Sequence, residues 1–302
     1  MGKPRGALTG RVVSTQGRRV VVRDEAGDDR VCFLSGQRAV IGDRVRLVAS
    51  GPGEGKLTEV MPRERALIRV DFKGREQEIA AWLGGLVVVA AADQPAYRAG
   101  LVDRYLIGAS AAGLGVILLL TKIDLGVSDE VERDLLAREA LGYTVARVST
   151  TTGEGMEALR AALVARGAPG PWALVGHSGV GKTSVIRALL PDVDVGPVGE
   201  ISEFWEAGRH TTTHSRVFDL GDGVEIADSP GIRTFLPGGL GPETVRAHFP
   251  GLEDVVCRYR DCLHRPGEEG CAAEGSVEPA LLERYRRVLT EVESVTERQR
   301  SW

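Results

Sequence analysis

Between residues 8 and 61 apolar and polar positions alternate in five short runs: LTGRVV, RRVVVRD, RVCFL, DRVRLVA and KLTEVM. Turn-forming stretches such as QG, EAGDD and GPGEG separate them. Alternation with period two predicts half-buried strands, and five of them in so short a span predict a small barrel of the OB type. Cys32 falls in one alternating run and is expected in the core, where a free thiol behaves as a small hydrophobe. From residue 66 to 236 the rhythm changes to apolar strand, loop, amphipathic helix. LVDRYLIGA and EVERDLLAREAL have helical spacing, whereas LGVILLL, TVARVS, WALVG and VEIADSP read as strands or strand ends. That alternation predicts a doubly wound α/β domain. From 237 to 302 Gly and Pro rise, a Cys/His cluster follows, and a last helix is expected from Ser276, a candidate N-cap. Leu281, Leu282, Tyr285, Val288, Leu289, Val292 and Val295 form its apolar stripe.

Three units are therefore expected: residues 1–65, 66–236 and 237–302. The longest apolar runs, LGGLVVVAAA (83–92) and LGVILLL (114–120), fall short of the ~18 residues needed to span a bilayer and fit buried parallel strands. The first residues lack the apolar core of a secretory signal. Three of the four Cys lie within fifteen residues beside a His, which favours a metal site over disulfides and fits a reducing cytoplasm. The net charge of −4 argues against a uniformly basic nucleic-acid binder, but the charge is uneven. The first 23 residues contain six basic side chains and no acid, which points to a polyanion as partner for the first unit.

The segment GHSGVGKTS (176–184) fits G-x-x-x-x-G-K-[ST] between a predicted strand and a helix. In such a loop Gly176, Gly179 and Gly181 permit a tight turn, and backbone amides from Gly176 through His177, Ser178, Val180 and Ser184 face a phosphate chain. Lys182 would reach the β- and γ-phosphates, and Thr183 would hold magnesium. Lys occurs at only five positions (3, 56, 73, 122, 182) among 38 Lys and Arg, so a Lys at the phosphate position is not a generic surface cation.

Upstream, LLLTKIDL (118–125) ends a buried strand in Thr121, Lys122 and Asp124. An Asp carboxylate there can accept from both N1–H and the exocyclic amine of guanine, and the Lys122 stem can lie along the base. Ser149, in VSTTTGEG (148–155), ends the next strand and can present backbone N–H to the guanine oxygen. Downstream, GRHTTTH (208–214) offers Thr211 or Thr212 to magnesium and the γ-phosphate, while DSPG (228–231) offers Asp228 to magnesium and the Gly231 N–H to the γ-phosphate. Base-reading motifs precede the phosphate loop, the reverse of the usual GTPase order. A parallel sheet keeps the same strand ends in space under such rewiring, so the domain reads as circularly permuted.

This order of TKID, GHSGVGKTS, GRHTTTH and DSPGIR, between an N-terminal barrel and a C-terminal Cys/His module, closely resembles the ribosome small-subunit-dependent GTPase A family (RsgA, also called YjeQ) over nearly the whole chain. The resemblance implies a bacterial, cytoplasmic assembly GTPase, expected as a monomer. It would bind the maturing small ribosomal subunit and its rRNA, act late in maturation, and leave after hydrolysing GTP. The alternative is a GTP-dependent rRNA-binding module in which hydrolysis is incidental. The sequence departs from the family's usual pattern at AAW (80–82), where Asn often follows the Ala, and at Thr183, where Ser is common.

Cys257, Cys262, His264 and Cys271 have C-x4-C-x-H-x6-C spacing, and three thiolates with one imidazole complete a closed tetrahedral shell for structural zinc. Ile232 stands where many GTPases place a water-orienting Gln and cannot polarise water. His210, in the first switch, is the candidate catalytic residue, as the same region of the family implies.

Overall fold

The computed structural model describes residues 7–70, 75–167, 169–193, 195, 214–228 and 241–300. Five strands open the chain: β1 (Leu8–Gln16), β2 (Arg19–Asp24), β3 (Asp29–Phe33), β4 (Arg44–Gly51) and β5 (Glu54–Val60). They pair in the order β1-β2-β3-β5-β4, and β4 returns to β1 (Leu8 opposite Leu47, Arg11 opposite Arg44), so the barrel closes. Its interior is the inward phase of the alternation: Val12, Val20, Val22, Cys32, Val45, Leu47 and Leu57.

A hairpin, β6 (Leu67–Val70) and β7 (Glu76–Ala80), leads into the second layer system. There β8 (Gly85–Ala91), β9 (Gly115–Thr121), β10 (Thr144–Arg147), β11 (Trp172–Val175) and β13 (Val224–Asp228) run parallel in the order β10-β9-β8-β11-β13, and β12 (His214–Gly221) pairs antiparallel with β13. Strand β8 is buried on both faces, and its period of two divides the core. Val87, Val89 and Ala91 face one apolar cluster and Leu86 and Val88 the other. Helices α3 (Met156–Arg166) and α4 (Lys182–Leu189) cover the first face, and α1 (Ala99–Ala111) covers the second. Helix α2 (Asp129–Ala140) packs Val131 and Leu135 under the end of β9; Ser128 caps it by accepting from the Val131 N–H at 3.3 Å.

Barrel and α/β sheet are one ladder. The end of β1 pairs with the start of β12, Ser14 opposite Arg216 and Gln16 opposite His214, giving eleven continuous strands. A second seam lies at Ala81, whose N–H donates to the Ile41 carbonyl at 2.9 Å. Gly42 approaches so closely that a Cβ there would stand 1.8 Å from the Ala81 oxygen.

The C-terminal part holds α5 (Pro242–His248), a single turn α6 (Ala273–Ser276) and α7 (Pro279–Arg300). Leu282, Tyr285, Val288, Leu289 and Val292 of α7 bury against Val245, Phe249 and Ile107 of α1, with Leu281 partly buried beside them, so the predicted stripe packs as far as Val292; the Val295 side chain lies outside the described ones. Phe249 and Tyr285 meet edge to face at 5.3 Å. Ser276 does not cap this helix: it ends α6, and its hydroxyl donates to the Ala272 carbonyl at 2.8 Å. Pro279, with φ preset and no N–H to satisfy, starts α7 instead.

Candidate nucleotide site and metal centre

Strands β8, β9, β11 and β13 end on one side of the sheet, where open parallel sheets bind ligands. The turn after β11 takes positive φ at Gly176, Gly179 and Gly181, and a Cβ on Gly176 would stand 2.2 Å from the Val89 oxygen. His177, Ser178 and Val180 complete the turn. Thr183 and Ser184 lie half-buried in the first turn of α4, whose N–H groups have no intrahelical partner. The Lys182 ammonium donates to the Gly176 and His177 carbonyls, each at 2.8 Å, which stretches its stem across the mouth of the turn. Asp228 ends β13 beside the strand of the turn, Leu174 opposite Asp228. Burial raises its carboxyl above the ordinary carboxylate range, and the nearby Lys182 charge opposes that rise.

Thr121 is not turned to the open side of the site. It is buried, and its hydroxyl lies 2.6 Å from the Val180 carbonyl and 3.2 Å from that of Ala90. It fastens the end of β9 to the phosphate turn. Lys122 follows in the left-handed region (φ 59°), and its ammonium donates to the Gln94 carbonyl. Asp124 stands exposed in a single 3-10 turn, Ile123–Leu125. Ser149 is fully buried; its hydroxyl accepts from Thr151 N and Thr152 N, both at 3.2 Å, and so shapes the 149–155 loop. His210, Thr211, Thr212 and Gly231 lie outside the described residues.

The sequence reading did not single out the loop between β8 and α1. Its Pro95 reaches the phosphate turn, its Gln94 carbonyl receives Lys122, and Tyr97 lines a small cavity with His177 and Val180. The QP pair in DQPAY was the available signal: a turn placed at the end of an apolar strand.

Cys257, Cys262, His264 and Cys271 converge, with one ligand atom from each all within 4.8 Å of one another. The three sulfurs stand 3.4, 3.6 and 3.5 Å from His264 Nδ1. A tetrahedral zinc with ordinary Zn–S and Zn–N bonds requires about 3.5 Å between S and N, so the donor set fits the ion. The Glu268 carboxylate builds the ligand loop by accepting from the Leu263 and Arg265 amides at 3.0 and 2.9 Å. Helix α7 clamps it: the Tyr285 hydroxyl donates to the Leu263 carbonyl at 2.8 Å, and Arg286 Nε donates to that of His264 at 2.7 Å.

Sheet order and chain order disagree in an informative way. The phosphate turn lies centrally in space yet follows β9, which ends in Thr121, and β10, which leads to Ser149, and with the family match this defines the class: a circularly permuted P-loop GTPase fused to a barrel and a Cys3His module. The chain belongs to the RsgA GTPase family, whose sequence profile matches residues 60–236. It is 40% identical over 261 residues to the small ribosomal subunit biogenesis GTPase RsgA of Azotobacter vinelandii, spanning 83% of this chain and 74% of that one. Its fold is that of YjeQ from Thermotoga maritima, with a TM-score of 0.73, 24% identity, and 95% of this chain and 99% of that chain covered. The fold also matches YloQ, described as a circularly permuted GTPase, with a TM-score of 0.68 at 22% identity over 97% and 98% of the two chains. The protein is a GTP-hydrolysing enzyme.

Proposed function

We propose that this GTPase acts in the cytoplasm on the small ribosomal subunit late in its maturation, and that the subunit stimulates its hydrolysis of GTP. The observation that carries the nucleotide site is the Thr121 hydroxyl bond to Val180, which joins the base-reading strand to the phosphate turn despite their reversed order. The printed name of the Azotobacter relative supports the ribosomal role. The barrel, residues 1–65, meets rRNA: Arg18, Arg19, Arg44, Arg46 and Lys56 are exposed, and Phe33, opposite Arg19, is 65% exposed and available for stacking on a base. The permuted domain, 66–236, handles GTP, and residues 237–302 form the zinc-binding unit.

In this reading Asp124 accepts from guanine, Lys122 lies along the base, and the loop started by Ser149 donates backbone N–H to the guanine oxygen. The Lys182 ammonium exchanges its carbonyl partners for β- and γ-phosphate oxygens. Thr183, Asp228 and a Thr from 211–212 would hold magnesium, which supplies charge neutralisation on the phosphates. The Gly231 N–H meets the γ-phosphate. His210 orients the attacking water and takes its proton, the role Ile232 cannot fill. Cys257, Cys262, His264 and Cys271 hold zinc as a cross-link with no open position.

Multiple-turnover GTP hydrolysis with and without small subunits tests the proposal. Stimulation by the subunit is expected, and His210→Ala should remove most of it, since a positioned base contributes roughly 10²–10⁴ in rate. Unchanged turnover in the presence of subunits would instead favour an rRNA-binding module with incidental hydrolysis.

A further inference from the structure

The loop between β8 and α1 touches both halves of the nucleotide site. Its Gln94 carbonyl receives the Lys122 ammonium, and a Cβ built on Gly179 would lie 3.7 Å from Pro95 Cδ. What fixes this loop is Tyr97, whose hydroxyl donates to Asp134 of α2. Asp134 also receives Arg138 Nε at 2.9 Å and Arg284 Nη1 at 2.6 Å. Asp103 of α1, fully buried, stands 2.9 Å from Arg138 and 3.2 Å from Arg284. Two carboxylates and two guanidiniums from α1, α2 and α7 thus meet in a site where Arg138 is only 2% exposed; burial raises the pKa of the Asp103 carboxyl, and the charges of Arg138 and Arg284 oppose that rise. The cluster flanks the base-reading arm twice. Through Tyr97 it holds the loop that receives Lys122, and through Asp134 it holds the helix that follows Asp124.

One of the four charges comes from the C-terminal unit. Arg284 sits on α7, the helix that clamps the metal-ligand loop through Tyr285 and Arg286. Without Arg284, two carboxylates would share one guanidinium in a buried site, an imbalance that α1 and α2 would relieve by moving apart or taking up a proton or water. We infer that the Asp103–Asp134–Arg138–Arg284 cluster and Tyr97 position the guanine-reading arm, and that Arg284 makes the C-terminal helix a determinant of guanine selectivity. This rests on the reading of Lys122 and Asp124 given above. These are positioning residues, because each acts on the base through another group.

The test is competition binding of GDP against IDP, whose base lacks the exocyclic amine, to the full-length zinc-loaded protein. Tyr97→Phe keeps the ring and removes the hydroxyl. Arg284→Met keeps the stem and removes the charge. Each should lower the preference for GDP over IDP roughly three- to tenfold, by weakening GDP, and Arg284→Lys should recover part of it. A purely structural role would lower the melting temperature and leave the ratio unchanged, and that result overturns the inference. Should Arg284→Met not fold, Arg284→Gln, polar and uncharged, takes its place in the same competition, and Tyr97→Phe tests the loop. Asp124→Asn separates the two failures. If it leaves the GDP preference intact, the base-reading assignment falls and this inference with it. If it abolishes the preference while Tyr97→Phe and Arg284→Met retain it, only this inference falls.

Discussion

Thr121 has one hydroxyl proton, and the nearest acceptor is a buried carbonyl of the phosphate turn, at 2.6 Å. Replacing it with Val keeps the shape and leaves the Val180 oxygen unsatisfied, which costs about 1–3 kcal/mol. Thr121→Val is therefore expected to lower stability in urea by that amount and to weaken GTP and GDP alike. A direct contact to the base would change affinity without changing stability. Asp228 gives the opposite stability sign. Its folded pKa is raised by burial, so the ionised carboxylate is held less well in the folded chain than in the unfolded one. That destabilisation is absent at low pH, where both states are protonated, and grows as pH rises through the ordinary carboxylate range. Asp228→Asn should accordingly raise the melting temperature of nucleotide-free protein at neutral pH while abolishing magnesium-dependent GTP binding; scanning calorimetry and binding titrations read the two effects.

Elements with a long, clean period were legible in the sequence. The five barrel strands, β8, β9, α1 and α2 all appear within a few residues of where the apolar spacing placed them. The hairpin β6–β7, strand β12 and helices α3 and α5 were not singled out: β6, β7 and α5 are short, and β12 is mixed in polarity, so the local pattern is a weak signal for them. The start of α7 was misplaced for a related reason. Ser276 has the chemistry of a cap, but the neighbouring turn of helix claims its hydroxyl. Of the candidate site, the motifs were legible as strings. Their mutual contacts, Thr121 on Val180 and Lys122 on Gln94, were not, since they arise only when strand ends meet. The 149–155 loop shows how strictly such an element is built. Gly155 has φ 73°, and a Cβ there would stand 2.0 Å from the Arg147 oxygen. Gly155→Ala must push the loop away from β10. Strain of order 1–3 kcal/mol should appear as a GDP affinity lowered about tenfold, with far-ultraviolet circular dichroism unchanged.

Across the whole molecule, the metal centre and α7 share one small core. Tyr285 lies in it with Phe249 and Leu263, and the Tyr285 hydroxyl holds the ligand loop. A zinc bound there adds its binding free energy to folding of that unit. The protein should therefore carry one zinc per chain by elemental analysis. Chelation or Cys262→Ser should split thermal unfolding into two steps, with the C-terminal unit melting first and phosphate-loop binding of nucleotide retained. The continuous ladder from β10 to β4 has a different consequence. An open sheet exposes a bare rim of amides and carbonyls at each side, a template on which other chains can add strands. Here β1 covers the first three residues of the β12 rim and then curls into a cylinder that closes on itself, while the opposite rim is only the four residues of β10. Besides any ligand it holds, the barrel is a hem: it leaves the growing side of the sheet with little to grow from.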